Sequence, residues 1–299
     1  MRETEVNSKP TILVTGVNGQ VGFELLRSLQ GLGRVIACDR SMLDLSDLDR
    51  VRSVVRELKP SIIVNPAAYT AVDKAETDQV AARLLNAEVP RVLAEEAARG
   101  GATLIHYSTD YVFDGAKSGA YVETDETNPQ NVYGLTKLEG EQALASTGCA
   151  HLILRTSWVY GRRGRNFLLT MLKLGRDRPE LRVVADQIGA PTWATTIAAS
   201  TAHIVAQGLA AEDAQWWQER SGIYHLTCAG ETSWYGFAKA IFEMAPGEGW
   251  PKVVPISASE YPVPAKRPTD SCMSHRKLAD VFGVCLPEWS EALRLCLAD

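Results

Sequence analysis

A chain of 299 residues, 45% apolar and 22% charged, is long enough to bury a sizeable core and is expected to divide into two lobes. Its net charge of −5 argues against general nucleic-acid binding, which calls for a basic surface, and admits an anionic ligand only where local cations or backbone N–H groups offset the field. The polar start and the lack of any long apolar run point to a cytoplasmic protein with no membrane contact, in which the six scattered cysteines stay reduced.

In chain order, strand-like apolar runs alternate with helical patterns. "TILVTG" (11–16) reads as a buried strand, "GQVGFELLRSLQGLG" as a helix ending at glycines, and "RVIACD" as a second strand. "SDLDRVRSVVRELKP" opens with a Ser46-x-x-Asp49 capping arrangement and repeats Val51, Val54, Val55 and Leu58 at helical spacing. "SIIVNPAAY" is a third strand, and Pro90 should split or kink the helical stretch that follows it. "ATLIHYSTDYVF", a helix bearing Tyr133, and the strand "HLILRTSWVYG" complete the series.

Repeated strand–helix–strand units imply an α/β fold, a doubly wound parallel sheet of the Rossmann type. Residues 1–160 form the expected dinucleotide-binding domain. Residues 161–299, less regular and richer in Pro and Trp, form a smaller C-terminal α+β substrate-binding lobe, with about 223–245 returning to the first domain.

"TGVNGQVG" sets Gly16, Gly19 and Gly22 between the first strand and first helix. Gly16 permits a tight turn, Gly19 lets a pyrophosphate approach the backbone, and Gly22 lets the helix pack close to the strand. The spacing is G-x-x-G-x-x-G, and its place in a strand–turn–helix unit marks a dinucleotide site. Asp39, at the end of the second strand, suits adenosine ribose hydroxyls and so NAD; Arg40 beside it can meet a 2′-phosphate, which admits NADP. Asp44 and Leu45 line the adenine, and "NPAAYTAVD" flanks the cofactor. The five histidines form no metal-ligand spacing, so no catalytic metal is expected.

Two tyrosine–lysine pairs share a four-residue spacing that puts both side chains on one helix face: Tyr133/Lys137 and Tyr235/Lys239. A protonated lysine should lower the phenol pKa and let the tyrosine exchange a proton with an alcohol or ketone oxygen. The first pair follows a strand whose carboxyl end presents Ser108, Thr109 and Asp110. The second sits among Trp234, Phe237, Ala238, Ile241 and Phe242 and reads as packing.

With these parts in view the chain resembles the extended short-chain dehydrogenase/reductase superfamily, and within it the dTDP-4-dehydrorhamnose reductase family. The resemblance is carried by "TGVNGQVG", "VNPAAYTAVDKAE", "HYSTDYVFDG", "NVYGLTKLEGE", "LRTSWVYG", "DQIGAPT" and "KRPTDS" in that order. It implies a catalytic set of Thr109, Tyr133 and Lys137, with Asp110 and Trp158 contacting the sugar. It also implies cofactor contacts from Gly16, Gly19, Gln20, Val21, Asp39, Asp44, Leu45, Ala67, Ala68, Tyr69, Tyr133 and Lys137.

The implied reaction is NADPH-dependent reduction, with NADH possible, of the C4 ketone of dTDP-4-dehydro-L-rhamnose, by a monomer or homodimer. Some members pair through Mg²⁺ held by glutamates; Glu24 matches, but Thr195 and Ser290 stand at the other positions, which argues against that bridge here. An anionic substrate needs cations, and "RRGR" (Arg162, Arg163, Arg165) and Lys266–Arg267 are the sources, with Arg267 expected to bind substrate. Two alternatives stay open: another nucleotide-sugar epimerase or reductase of the superfamily, and a non-catalytic regulatory subunit resembling that of methionine adenosyltransferase. A dehydratase would want a carboxylate where Tyr111 stands.

Overall fold

The structure, a computed structural model, describes residues 9–298. Strands β1 (Thr11–Val14), β2 (Arg34–Ala37) and β3 (Ile62–Asn65) alternate with helices α1 (Gln20–Ser28) and α2 (Leu48–Leu58). Ile12, Leu13, Val14, Ile63 and Val64 are wholly buried, as befits central parallel strands covered on both faces. The cap of α2 is Asp47, which accepts from the Arg50 N–H at 2.9 Å; Ser46, expected in that role, instead donates to Asp44 at 2.8 Å.

After β3 come α3 (Val72–Ala75), α4 (Gln79–Arg83), a π-helical turn (Leu84–Glu88) and α5 (Val89–Gly100). Pro90 falls in the first turn of α5, where a missing N–H costs little, and the π turn just before it absorbs the change of register. The expected break is therefore a widened turn. Then follow β4 (Thr103–Thr109), α6 (Val132–Ala145) and β5 (His151–Thr156).

The second half runs β6 (Val159–Tyr160), α7 (Phe167–Asp177), β7 (Glu180–Val184), β8 (Ile188–Gly189), β9 (Thr192–Trp193) and α8 (Ala194–Ala210). It continues with α9 (Ala214–Glu219), β10 (Gly222–His225), β11 (Thr232–Ser233), α10 (Trp234–Met244), β12 (Lys252–Ile256), α11 (Arg276–Phe282) and α12 (Trp289–Ala298). The main sheet is parallel, in the order β10-β5-β4-β3-β1-β2. The chain reverses its direction of travel across the sheet between β1 and β3, and a crevice opens there beyond the strands' carboxyl ends.

Two packing relations bear on the expected division into lobes. Of the stretch 223–245, only β10 joins the main sheet; α10 packs in a separate apolar cluster, where Phe237, Ile241 and Phe242 lie with Leu168, Leu181, Val183 and Leu293. Conversely α8 lies within 161–299 yet packs on α1, burying Ile197, Ala198, Ile204 and Val205 in the core beside the sheet. Among the described residues no helix is long and apolar enough to cross a membrane.

Candidate active site

A cavity of about 770 Å³ opens at the carboxyl ends of β1, β3 and β4. The turn after β1 forms one wall. Gly16 has φ +56°, and a Cβ there would lie 2.9 Å from the Ala67 backbone; a Cβ at Gly22 would lie 2.2 Å from the Gly16 carbonyl. Both contacts forbid any larger residue, so the turn brings the α1 N-terminus against the cavity, a ready site for phosphate. Residues and cavity therefore fit a dinucleotide.

Of the residues expected to hold that cofactor, all but Tyr69 line the cavity. The Tyr69 hydroxyl donates to Asp78 at 3.0 Å, and its backbone N–H donates to Asn86 Oδ1 at 2.8 Å. Asn86, wholly buried, also donates to the Tyr69 carbonyl at 3.2 Å and to Thr136 at 3.1 Å, so it clamps the loop after β3 to α6. Sequence reading passed over Asn86. Its one signal was an amide between the apolar residues Leu84, Leu85 and Ala87 of a helical stretch.

Asp39 Oδ1 accepts from the Ser41 hydroxyl (2.7 Å), the Met42 N–H (3.0 Å) and the Ser41 N–H (2.9 Å), which hold its carboxyl below the usual range. Turn former and ribose ligand are compatible roles, because these bonds use one oxygen. Arg40 is well exposed, with Nε 3.8 Å from Asp44.

Thr109 ends β4. It accepts from the Tyr111 N–H at 3.2 Å, donates to Asp110 Oδ1 at 3.0 Å, and bonds the Tyr133 hydroxyl. Asp110 is 1% exposed and takes further bonds from Ser157, at 3.0 Å, and Ser271; burial nonetheless pushes its carboxyl up to about 6. Tyr133 stands in the first turn of α6, whose cap Asn131 accepts from the Gly134 N–H at 2.8 Å and donates to the Lys266 carbonyl at 2.8 Å.

The expected Coulombic help from Lys137 to Tyr133 is corrected by the geometry. Lys137 Nζ donates to the Tyr107 carbonyl at 2.5 Å and lies 3.1 Å from His106 Nε2. Burial pushes the Tyr133 phenol up to about 12, tempered by Thr109 and reinforced by Asp110. Burial likewise brings Lys137 down to about 8 against the pull of Glu141.

Trp158 has a left-handed backbone (φ +47°) and lines the cavity with Trp234. Their rings stack face to face, centroids 3.5 Å apart, and a Cβ at Gly189 would come within 2.6 Å of the Trp158 ring. Trp158 is thus wedged between β8 and the start of α10. Trp234, read as packing, is a cavity residue.

Arg267 is not among the cavity-lining residues: it pairs with Asp73 at 3.0 Å and bonds Tyr111, which does line the cavity. The "RRGR" run divides three ways. Arg162 reaches the Cys296 and Leu297 carbonyls at 3.4 Å, Arg163 lies over the Phe23 ring, and Arg165 faces the cavity. Among the described residues no group of three or more His, Cys, Asp or Glu is arranged to hold a metal ion, and no disulfide joins the cysteines.

A glycine turn at the switch point of a parallel sheet, facing a Thr–Tyr–Lys set, defines the extended short-chain dehydrogenase/reductase class. Residues 10–299 match the RmlD substrate binding domain family, and the chain belongs to it. It is 50% identical to a dTDP-4-dehydrorhamnose reductase of Burkholderia thailandensis over 96% of this chain and 98% of that one. It is 44% identical to the Escherichia coli K12 protein of that name, over 96% of each. A Bacillus anthracis dTDP-4-dehydrorhamnose reductase, solved in complex with NADP, superposes with TM-score 0.87 at 36% identity, over 97% of this chain and 99% of that one.

Proposed function

We propose that this chain reduces the C4 ketone of dTDP-4-dehydro-L-rhamnose to dTDP-L-rhamnose with NADPH, accepting NADH. The observation that carries the reading is the convergence of the Thr109 and Tyr133 hydroxyls at the cavity's inner end, with Lys137 on the same helix face. Gly16, Gly19 and Gln20 would hold the pyrophosphate, and Asp39, Arg40 and Asp44 the adenosine end. Bound there, the dinucleotide supplies the hydride.

Tyr133 gives its proton to the oxygen left on C4. A phenol held near 12 keeps that proton until an alkoxide, a much stronger base, forms beside it. Thr109, whose hydroxyl donates to Asp110, turns to the same oxygen and steadies its charge. Lys137 would hold the nicotinamide ribose, Asp110 and Trp158 would orient the sugar, and Arg165, which lines the cavity, would meet its phosphates. Arg267 acts through Tyr111 and Asp73 rather than as a free cation. We take the enzyme to work in the cytoplasm as a monomer or homodimer.

The test is loss of NADPH absorbance when purified protein meets a dTDP-4-keto-6-deoxy sugar. Turnover with a single alcohol product supports the reading. Cofactor binding without oxidation would overturn it in favour of a binding role.

A further inference from the structure

The run from Gly161 to Asn166 joins β6 to α7, and its side chains tie it to the helix that follows the glycine turn. Asn166 caps α7, accepting from the Leu169 N–H at 3.0 Å. Its amide nitrogen donates to Gln20 Oε1 at 2.7 Å and to the Gly161 and Arg163 carbonyls at 2.8 and 3.2 Å. Gln20, the first residue of α1, donates in turn from Nε2 to the Val159 carbonyl at 3.4 Å. A second tie lies beside the first: Arg163 stands over the Phe23 ring of α1, 3.9 Å from its centre. Gly164, at φ +79°, comes close enough that a Cβ there would lie 3.3 Å from Gln20 Cγ.

The two amides can point only one way. The Leu169 N–H can only donate, so the Asn166 oxygen faces it and the Asn166 NH₂ faces Gln20. The Val159 carbonyl can only accept, so the Gln20 NH₂ faces it and the Gln20 oxygen faces Asn166. Both ends of the line demand the same arrangement, and it occupies the whole Gln20 side chain. What Gln20 offers a phosphate is its backbone N–H, in the first turn of α1.

The strap brings a cation to the cavity. Gln20, Trp158, Val159, Gly164 and Arg165 all line it. Arg162 is engaged with carbonyls of α12 and Arg163 with Phe23, whereas among the described residues nothing pairs with the Arg165 guanidinium. One side chain, Gln20, therefore touches the segment that bears Trp158 and the segment that bears Arg165.

We propose that Asn166 is a positioning residue that couples the two halves of the cavity: through Gln20 it fastens the Arg165 strap to the glycine turn, so that a dinucleotide seated on that turn holds Arg165 and Trp158 in place and tightens binding of the nucleotide sugar. A pyrophosphate on the first N–H groups of α1 fixes the Gln20 backbone, and the side chain passes that restraint to Val159 and Asn166. Ordering a long arginine is costly, and here the first ligand bears that cost, so the second meets a strap already in place. By linkage, the sugar nucleotide tightens the cofactor by the same factor.

Because the coupling rests on the reading of the cavity as a site for both ligands, its test uses dTDP and NADP⁺, a pair that cannot react. Calorimetric titration of the full-length protein with dTDP should give a Kd at least about 5-fold lower in saturating NADP⁺ than without it. Asn166→Ser keeps a cap for α7 and loses the amide that reaches Gln20; there the ratio should fall to within about twofold of one. Gln20→Met keeps the backbone N–H and removes the side-chain amide, and should lose the ratio equally. The double variant should lose no more than either alone, which a merely structural role would not produce. A ratio of one in the wild type, or an unchanged ratio in either folded variant, would overturn the proposal. If Asn166→Ser does not fold, Gln20→Met decides. Absence of dTDP binding in both states would sink the functional reading as well, a result distinct from dTDP binding that ignores NADP⁺.

Discussion

Two helices of this chain carry a tyrosine and a lysine four residues apart, and they end in opposite circumstances. On α6, Lys137 is 1% exposed, bonded to a strand carbonyl and facing a buried imidazole. On α10, the Lys239 side chain is 58% exposed and lies 3.5 Å from Glu243, while Tyr235 packs against the lobe core. Spacing sets which side chains share a face. What that face meets sets the chemistry. The α6 pair meets β4, whose carboxyl end supplies Thr109 and Asp110; the α10 pair meets apolar side chains and water.

The largest contrast should come from the phenols. Tyr133→Phe is expected to lower kcat by ~10²–10⁴ with NADPH affinity nearly unchanged, as steady-state rates and cofactor titration will show. Tyr235→Phe should leave both alone; a comparable loss there would dissolve the distinction between the pairs.

Next come the lysines, where rate and stability should part. Lys137→Met removes the proposed ribose contact and is expected to cost ~10² in turnover. It should also stabilise the fold at pH 7 by roughly 2 kcal/mol, measured by denaturant unfolding. The sign follows from the pKa of about 8, below the ordinary 10.5. The unfolded chain binds this proton more tightly, so the folded state carries a penalty that is full below pH 8 and fades as pH rises toward 10.5. The advantage of Lys137→Met should shrink across that window. Lys239→Met, at an exposed site, should stay within about 0.5 kcal/mol at every pH.

The third test separates α10's tyrosine from its first residue. Trp234→Ala removes the face that holds Trp158 and should raise KM for the nucleotide sugar roughly 5–10-fold, with a smaller change in kcat. An unchanged KM would return Trp234 to packing. The smallest effect concerns the cofactor: Arg40→Ala should raise KM for NADPH a few-fold and leave NADH unaffected, because the exposed guanidinium loses only a screened phosphate contact. An equal rise for both cofactors would remove Arg40 from 2′-phosphate recognition.

Several of these assignments were legible before folding. The glycine turn was, because its demands are local: a positive φ at Gly16 and no room for a side chain at Gly22. The role of Tyr133 could be argued from order, since its helix follows the strand ending in Thr109. Asn86, His106 and Trp234 were not singled out, because an amide, an imidazole and an indole in apolar runs look like ordinary filling until their partners, far away in sequence, arrive. Tyr69 and Arg267 were expected at the ligand and turn elsewhere, each held by a carboxylate, Asp78 and Asp73.

Short-range sterics and periodicity were enough to dictate the parallel sheet, the glycine turn and a Tyr–Lys face on α6, since each depends on residues within a few positions of one another. Where α8 and α10 pack, and how Trp158 is wedged, were decided only when distant segments met. Burial and hydrogen-bond direction depend on neighbours that the order of residues does not name.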